Sequence, residues 1–260
     1  MTSRLIRAVL VLALLLSAPA LAGDLPRGFV YLRDIDPTIV QDIRYAGSHN
    51  FVGRPIKGYL AAECILSAPA ANALALVQKK LAAKKLALIV WDCYRPKRAV
   101  ADFWQWSRGP AQSDMKGEFY PRTNKAKLFA LGYIAIRSSH SRGGTVDLGI
   151  VPGDVSSAPR RDLSQPIKAC TASKGERFED GTIDLGTGYD CLDVLANTSS
   201  ALVSTAARAN RQMLKSAMRE AGFRSYFREW WHFELINAPF TDGFDFEVRP
   251  SSSSNEGSKR

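Results

Sequence analysis

The sequence predicts a single α+β domain, with a mostly antiparallel sheet flanked by helices. Apolar residues recur at helical spacing after Pro69 and again within 199–221. Short apolar runs, such as 86–91, read as buried strands. Strands and helices alternate too imperfectly for a regular series of parallel units, which points to α+β rather than α/β.

Residues 1–22 read as an export leader. Arg4 and Arg7 precede an apolar run over 8–16, and Ala20-Leu21-Ala22 supplies a small-x-small cleavage site. The run is too short to span a bilayer comfortably, and polar residues follow from Asp24, so a cleaved leader is preferred to a retained anchor. The expected domain then covers 23–250, periplasmic or secreted, without stable insertion in a membrane.

Residues 28–44 mix β-branched and aromatic residues with turn formers, which predicts one or two strands. Gly47, Asn50, Gly53, Pro55 and Gly58 make 46–59 a loop. Pro69 opens a helix on Ala70, Leu74, Val77 and Leu81, with Lys79, Lys80, Lys84 and Lys85 late in it. Proline at the start and cations at the end match the preferences of helix termini. Residues 86–91 form a buried strand, and Pro96 begins a helix through Val100, Phe103 and Trp104. The polar stretch 107–125 reads as a surface excursion. Residues 133–136 and 145–151 are strand-like. The long irregular stretch 152–190 is of a kind that tends to be functional in a compact domain. Leu202, Ala206, Ala209, Met213, Ala217 and Glu220 mark the turns of a helix over 199–221, which Gly222 ends. Strands follow at 223–227 and 232–236. The serine-rich residues 251–260 are expected to be a disordered tail.

The formal net charge of +10 falls by two with the leader, which carries Arg4 and Arg7. No nucleic-acid motif or dense basic tract accompanies it, so the charge reads as a basic surface and not as a nucleic-acid site. Four cysteines in an exported chain favour disulfides. Of the three possible pairings, Cys64 with Cys93 and Cys170 with Cys191 are favoured. The first pair flanks one helical segment, and the second would staple the long irregular stretch, contributing about 3 kcal/mol.

Two of the three histidines sit in clusters that carry chemistry. In Ser138-Ser139-His140-Ser141-Arg142-Gly143-Gly144-Thr145-Val146-Asp147, the glycines permit a turn before a strand, and alternation puts Thr145 and Asp147 on one face. Alone, this could equally be a turn-capping histidine and a surface aspartate. The second cluster is Glu229-Trp230-Trp231-His232. Here a carboxylate lies three residues from an imidazole, among indoles that would exclude water. Together His140, Asp147 and His232 offer the donors of a catalytic zinc with one open position, and Glu229 is placed as its general base. A third element, Asp92-Cys93-Tyr94-Arg95-Pro96, puts Arg95 before a helix. On spacing alone Arg95 is either an oxyanion stabiliser or an ordinary surface arginine.

These three elements resemble the zinc-dependent D-alanyl-D-alanine dipeptidases, which belong with D-Ala-D-Ala carboxypeptidases and hedgehog-type domains. Arg44-Tyr45-Ala46, Asn50-Phe51-x-Gly53, Gly58-Tyr59, Lys97-Arg98-Ala99-Val100, Phe119-Tyr120-Pro121 and Gly186-Thr187-Gly188-Tyr189-Asp190 extend the similarity across residues 29–246. The resemblance implies one Zn2+ on His140, Asp147 and His232, with Glu229 as catalytic base and Arg95 as transition-state stabiliser. It also implies that Ser138, Asp190, Tyr45 and Tyr59 contact the dipeptide termini. The expected activity is hydrolysis of the small dipeptide D-Ala-D-Ala in cell-wall peptide turnover. Residues 107–125 and 152–190 are expected to wall the cavity. Alternatives are a D,D- or L,D-carboxypeptidase trimming stem peptides, a non-catalytic zinc-containing binding module, and a cysteine hydrolase using Cys93 and His140.

Overall fold

Apolar side chains fill both faces of residues 86–92 until Asp92, as a central strand requires. In the computed structural model, which describes residues 25–109, 115–162 and 164–251, this run is indeed central. The elements are β1 (Phe29–Tyr31), α1 (Leu32–Ile35), β2 (Val40–Gln41), β3 (Ile65–Ser67), α2 (Ala68–Ala82), β4 (Leu86–Asp92), α3 (Lys97–Arg108) and α4 (Lys116–Phe119). After them come β5 (Thr145–Pro152), α5 (Thr205–Glu220), β6 (Phe223–Tyr226) and β7 (Glu229–Leu235). Five strands form one sheet in the order β2-β4-β5-β7-β6, while β1 and β3 form a separate antiparallel pair. Only the β2–β4 pairing in the main sheet is parallel. This is the mostly antiparallel α+β domain the sequence predicts.

Helix α2 packs on β4 and beside α5, burying Ala70, Ala71, Leu74, Val77 and Leu81. Helix α5 starts later than 199, because the Ser204 side chain caps it by accepting from the Ala207 amide at 3.0 Å. Its buried stripe is Ala207, Arg211, Leu214, Ala217 and Met218, while Ala206 and Ala209 face solvent. Arg211 is tolerated inside because it donates to the carbonyls of Leu185, Asn197 and Leu195.

Other departures are local. Residues 133–136 make no ladder; the amides of Tyr133 and Ile134 turn back onto the Leu128 carbonyl. The excursion at 107–125 is partly internal, with Glu118, Phe119 and Tyr120 buried. Ser251, expected in the tail, is buried and its backbone bonds Glu63. The expected leader and the rest of the tail lie outside the described residues. Among the described residues, no helix is long and apolar enough to cross a membrane. Disulfides join Cys64 to Cys93 and Cys170 to Cys191. The first ties β3 to the end of β4, and the second closes the irregular stretch next to Asp190.

Candidate active site

Two irregularities in the sheet bring the polar groups together. Val90 pairs with Leu148, but Asp92 pairs with Asp147, so β4 carries one extra residue at Trp91. Asp147 in turn lies opposite His232 on β7. Asp92, Asp147 and His232 therefore form a row across three neighbouring strands. On the far side, Ser225 pairs with Phe233 while Tyr226 pairs with Glu229, an offset that breaks the alternation of β7. A regular strand would send Glu229 and His232 to opposite faces. Here both line one cavity, with Glu229 Oε2 3.6 Å from His232 Nδ1.

His140 enters from a 3-10 turn, Ser139–Arg142, that ends on Gly143. Gly143 has φ of 70°, and a Cβ there would lie 2.2 Å from the Phe29 ring, so only glycine fits. His140 Nδ1 donates to the Cys93 carbonyl at 2.8 Å and lies 3.3 Å from Asp92 Oδ2. This fixes the ring so that Nε2 faces the cavity. There it lies 3.3 Å from Asp147 Oδ1 and 3.2 Å from His232 Nδ1, and the latter is 3.1 Å from Asp147 Oδ1. One ligand atom from each of His140, Asp147 and His232 falls within 4.8 Å of the others.

Arg95 is held rather than exposed. It donates from Nε to Asp92 Oδ2 at 2.8 Å, has a second nitrogen 2.7 Å from the same oxygen, and reaches Asp147 Oδ2 at 3.7 Å. The rings of Tyr45 and Phe103 cover it at 5.2 and 5.3 Å. Tyr45 also donates to Asp190 Oδ2 at 2.9 Å. Asp190 sits at φ 57°, a left-handed position that aspartate tolerates. Tyr59 takes a different place from the one expected. It donates to Asp92 Oδ1 at 2.5 Å, behind Arg95, and is not among the residues lining the cavity.

The electrostatics follow from crowding. Burial, then the Asp147 and Asp190 carboxylates, pushes Glu229 well above the usual carboxylate range. Burial, then Asp147, pushes Asp190 up to about 8. Burial opposes the Asp147 charge, yet the two imidazoles hold its carboxyl well below the ordinary range. Burial pushes the His232 imidazole down, against the pull of Asp147. Two imidazole nitrogens and a carboxylate oxygen at this spacing suit a divalent metal ion. Positive charge at that point would also relieve the repulsion among Asp147, Asp190 and Glu229.

The cavity has a volume of about 360 Å³, near the lower end for small-molecule sites. Besides the groups above, its wall includes Ser138, Tyr133, Arg137, Arg142 and Tyr226. Among the described residues the wall thus comes from 132–138 and from Asp190 and Leu192, not from 107–125 or the bulk of 152–190. Trp230 and Trp231 lie behind the cluster. Trp230 packs edge-on against Trp91 and donates to Thr187 Oγ1 at 2.8 Å, and Trp231 packs on Tyr189. Tyr189 itself donates to Asp147 Oδ2 at 3.2 Å. Its role and that of Asp92 were missed in the sequence, although a carboxylate ending an apolar strand signals a buried group needing partners. Cys93 is tied in a disulfide and offers no thiol to His140.

Comparison with known proteins gives one family. A model described as D-ala-D-ala dipeptidase matches residues 26–157 and 175–249. A protein of Enterococcus faecalis named D-alanyl-D-alanine dipeptidase is 33% identical over 222 residues, covering 85% of this chain and 98% of the relative. One of the same name from Streptomyces coelicolor is 34% identical over 85% of this chain and 98% of its own length. Another from Escherichia coli is 29% identical, over 80% of this chain and 85% of its own.

Proposed function

Because the chain belongs to the D-ala-D-ala dipeptidase family, we propose that it is a zinc peptidase hydrolysing D-Ala-D-Ala to two molecules of D-alanine. The observation that carries this reading is the convergence of His140 Nε2, Asp147 Oδ1 and His232 Nδ1, with Glu229 3.6 Å from His232, in one small cavity. Held by these three residues with one position open, zinc would polarise the scissile carbonyl and acidify a water.

The chain's own residues supply the remaining work. Glu229 takes a proton from the attacking water and passes it to the departing amine. Arg95, fixed by Asp92, balances negative charge developing on the carbonyl oxygen. Asp190, steadied by Tyr45, receives the substrate ammonium, and that positive charge favours its ionised form. Ser138, whose side chain makes no hydrogen bond among the described residues, receives the terminal carboxylate. Holding both ends restricts the substrate to dipeptides. The two disulfides support a location outside the cytoplasm, periplasmic or secreted, and so a part in turnover of cell-wall peptides.

The test is purified enzyme, with and without added zinc, against D-Ala-D-Ala, its stereoisomers and a stem pentapeptide. Zinc-dependent cleavage of the D,D-dipeptide alone is expected; preference for the pentapeptide would move the reading to a carboxypeptidase. Glu229→Ala should bind zinc normally yet lose at least about 10³ in kcat. Near-normal turnover in that variant removes Glu229 from the chemistry.

A further inference from the structure

Beside the catalytic cavity lies a second one, of about 710 Å³, and the two share Arg137, Ser138 and Arg142 in their walls. The second cavity is otherwise built from α3 and the segment 241–243. It is lined by Lys97, Val100, Ala101 and Trp104 on the helix, by Ile136 and Ser141, and by Thr241, Asp242 and Gly243. Its chemistry is not that of an unused crevice. The side chains of Lys97 and Arg137 are exposed and make no hydrogen bond or ion pair among the described residues. Arg142 is already committed to Glu234, and Asp242 is the sole acid of the lining.

Two exposed cations above an apolar floor of Val100, Ala101 and Trp104 describe a site for an anionic group on a short carbon stem. We propose that this cavity is a subsite for the leaving residue of the substrate, accepting a C-terminal D-amino acid whose side chain bears a carboxylate. The inference rests on the dipeptidase reading above. Ser138, which there receives the terminal carboxylate, belongs to both walls, so the side chain of the same residue leaves the catalytic cavity beside Arg137. Alanine leaves the second cavity empty. A glutamate-sized side chain extends toward Lys97 and Arg137.

The test compares kcat/KM for D-Ala-D-Ala, D-Ala-D-Glu and D-Ala-D-Gln at low ionic strength. Glutamine has the same shape without the charge, so the glutamate-to-glutamine ratio isolates the electrostatic recognition. A ratio of about fivefold in favour of glutamate is expected, mostly in KM, and it should fall as salt is added. Lys97 is exposed at the first turn of α3, where an acidic residue suits the helix, so Lys97→Glu should fold normally. That variant should bring the ratio to one or below. Cleavage of D-Ala-D-Ala with a wild-type ratio near one, or a ratio untouched by Lys97→Glu, overturns the subsite while leaving the dipeptidase reading in place. Cleavage of none of the three overturns both.

Discussion

Replacing Asp92 by asparagine tests whether the row of polar groups across β4, β5 and β7 is held from behind. Asp92 is fully buried; Tyr59 Oη donates to its Oδ1 and Arg95 to its Oδ2, and His140 Nδ1 lies 3.3 Å from the latter. An asparagine can keep its carbonyl oxygen on Arg95 only by pointing its amide nitrogen at Tyr59 Oη, which must then accept where it now donates. It also removes the carboxylate beside the buried Arg95 guanidinium. Breaking a buried ion pair by deleting one partner costs about 3–5 kcal/mol. Arg95 keeps Asp147 at 3.7 Å and the rings of Tyr45 and Phe103, which places the expected loss near the lower end, about 3 kcal/mol. For a domain of this size that corresponds to a fall in Tm of roughly 10 °C. Because Asp92 also orients His140, zinc affinity should weaken by about 10–100-fold. Urea unfolding of the chelated protein gives the first number and zinc titration of the folded protein the second. A stability loss below about 1 kcal/mol with unchanged zinc affinity would refute the positioning argument.

The cysteine pair Cys170 and Cys191, separated by 21 residues, should contribute about 3 kcal/mol by restricting the unfolded chain. Replacing both by serine should lower the urea midpoint accordingly, and an unchanged midpoint would show that the loop is held by other means. Asp102 fastens the loop at 46–59 to α3 by accepting from Arg54 at 2.7 and 2.9 Å and from the Lys57 amide at 3.1 Å. Burial opposes its charge, but these donors hold its carboxyl below the usual 3.8. A depressed carboxyl stabilises the fold above its unfolded pKa and loses that contribution as pH falls through the folded value. The stability gap between wild type and Asp102→Asn should therefore shrink as pH drops below about 3.8. A gap constant down to strong acid would deny Asp102 this part.

What the sequence revealed follows from the range of the interactions concerned. Helix α2 and strand β4 are legible because propensity, apolar period and terminus chemistry agree over one contiguous stretch. Asp147 is legible as well, since strand alternation after Gly143-Gly144 assigns its face without reference to any other element. Glu229 and His232 present a harder case. Their spacing on a strand would separate them, and only the offset between Ser225–Phe233 and Tyr226–Glu229 lets both reach the cavity. That offset belongs to a pairing of two strands, which no window on one strand contains. The start and the buried stripe of α5 also depend on groups outside its own stretch. The Ser204 cap sets where the helix begins, and Arg211 turns inward because carbonyls at 185, 195 and 197 await it. Residues 133–136 look like a strand because β-branched and aromatic residues do so in isolation, yet with no partner edge their amides fold onto Leu128. Tyr59 shows the limit from the other side. A tyrosine beside a glycine in a loop can meet substrate or stand one layer behind it, and the choice was made by Asp92. Had the rule that a buried carboxylate requires partners been applied to the end of the 86–92 run, Asp92 and Arg95 would have paired across three residues. Arg95 would then have been read as a held group, resolving the one alternative that spacing left open.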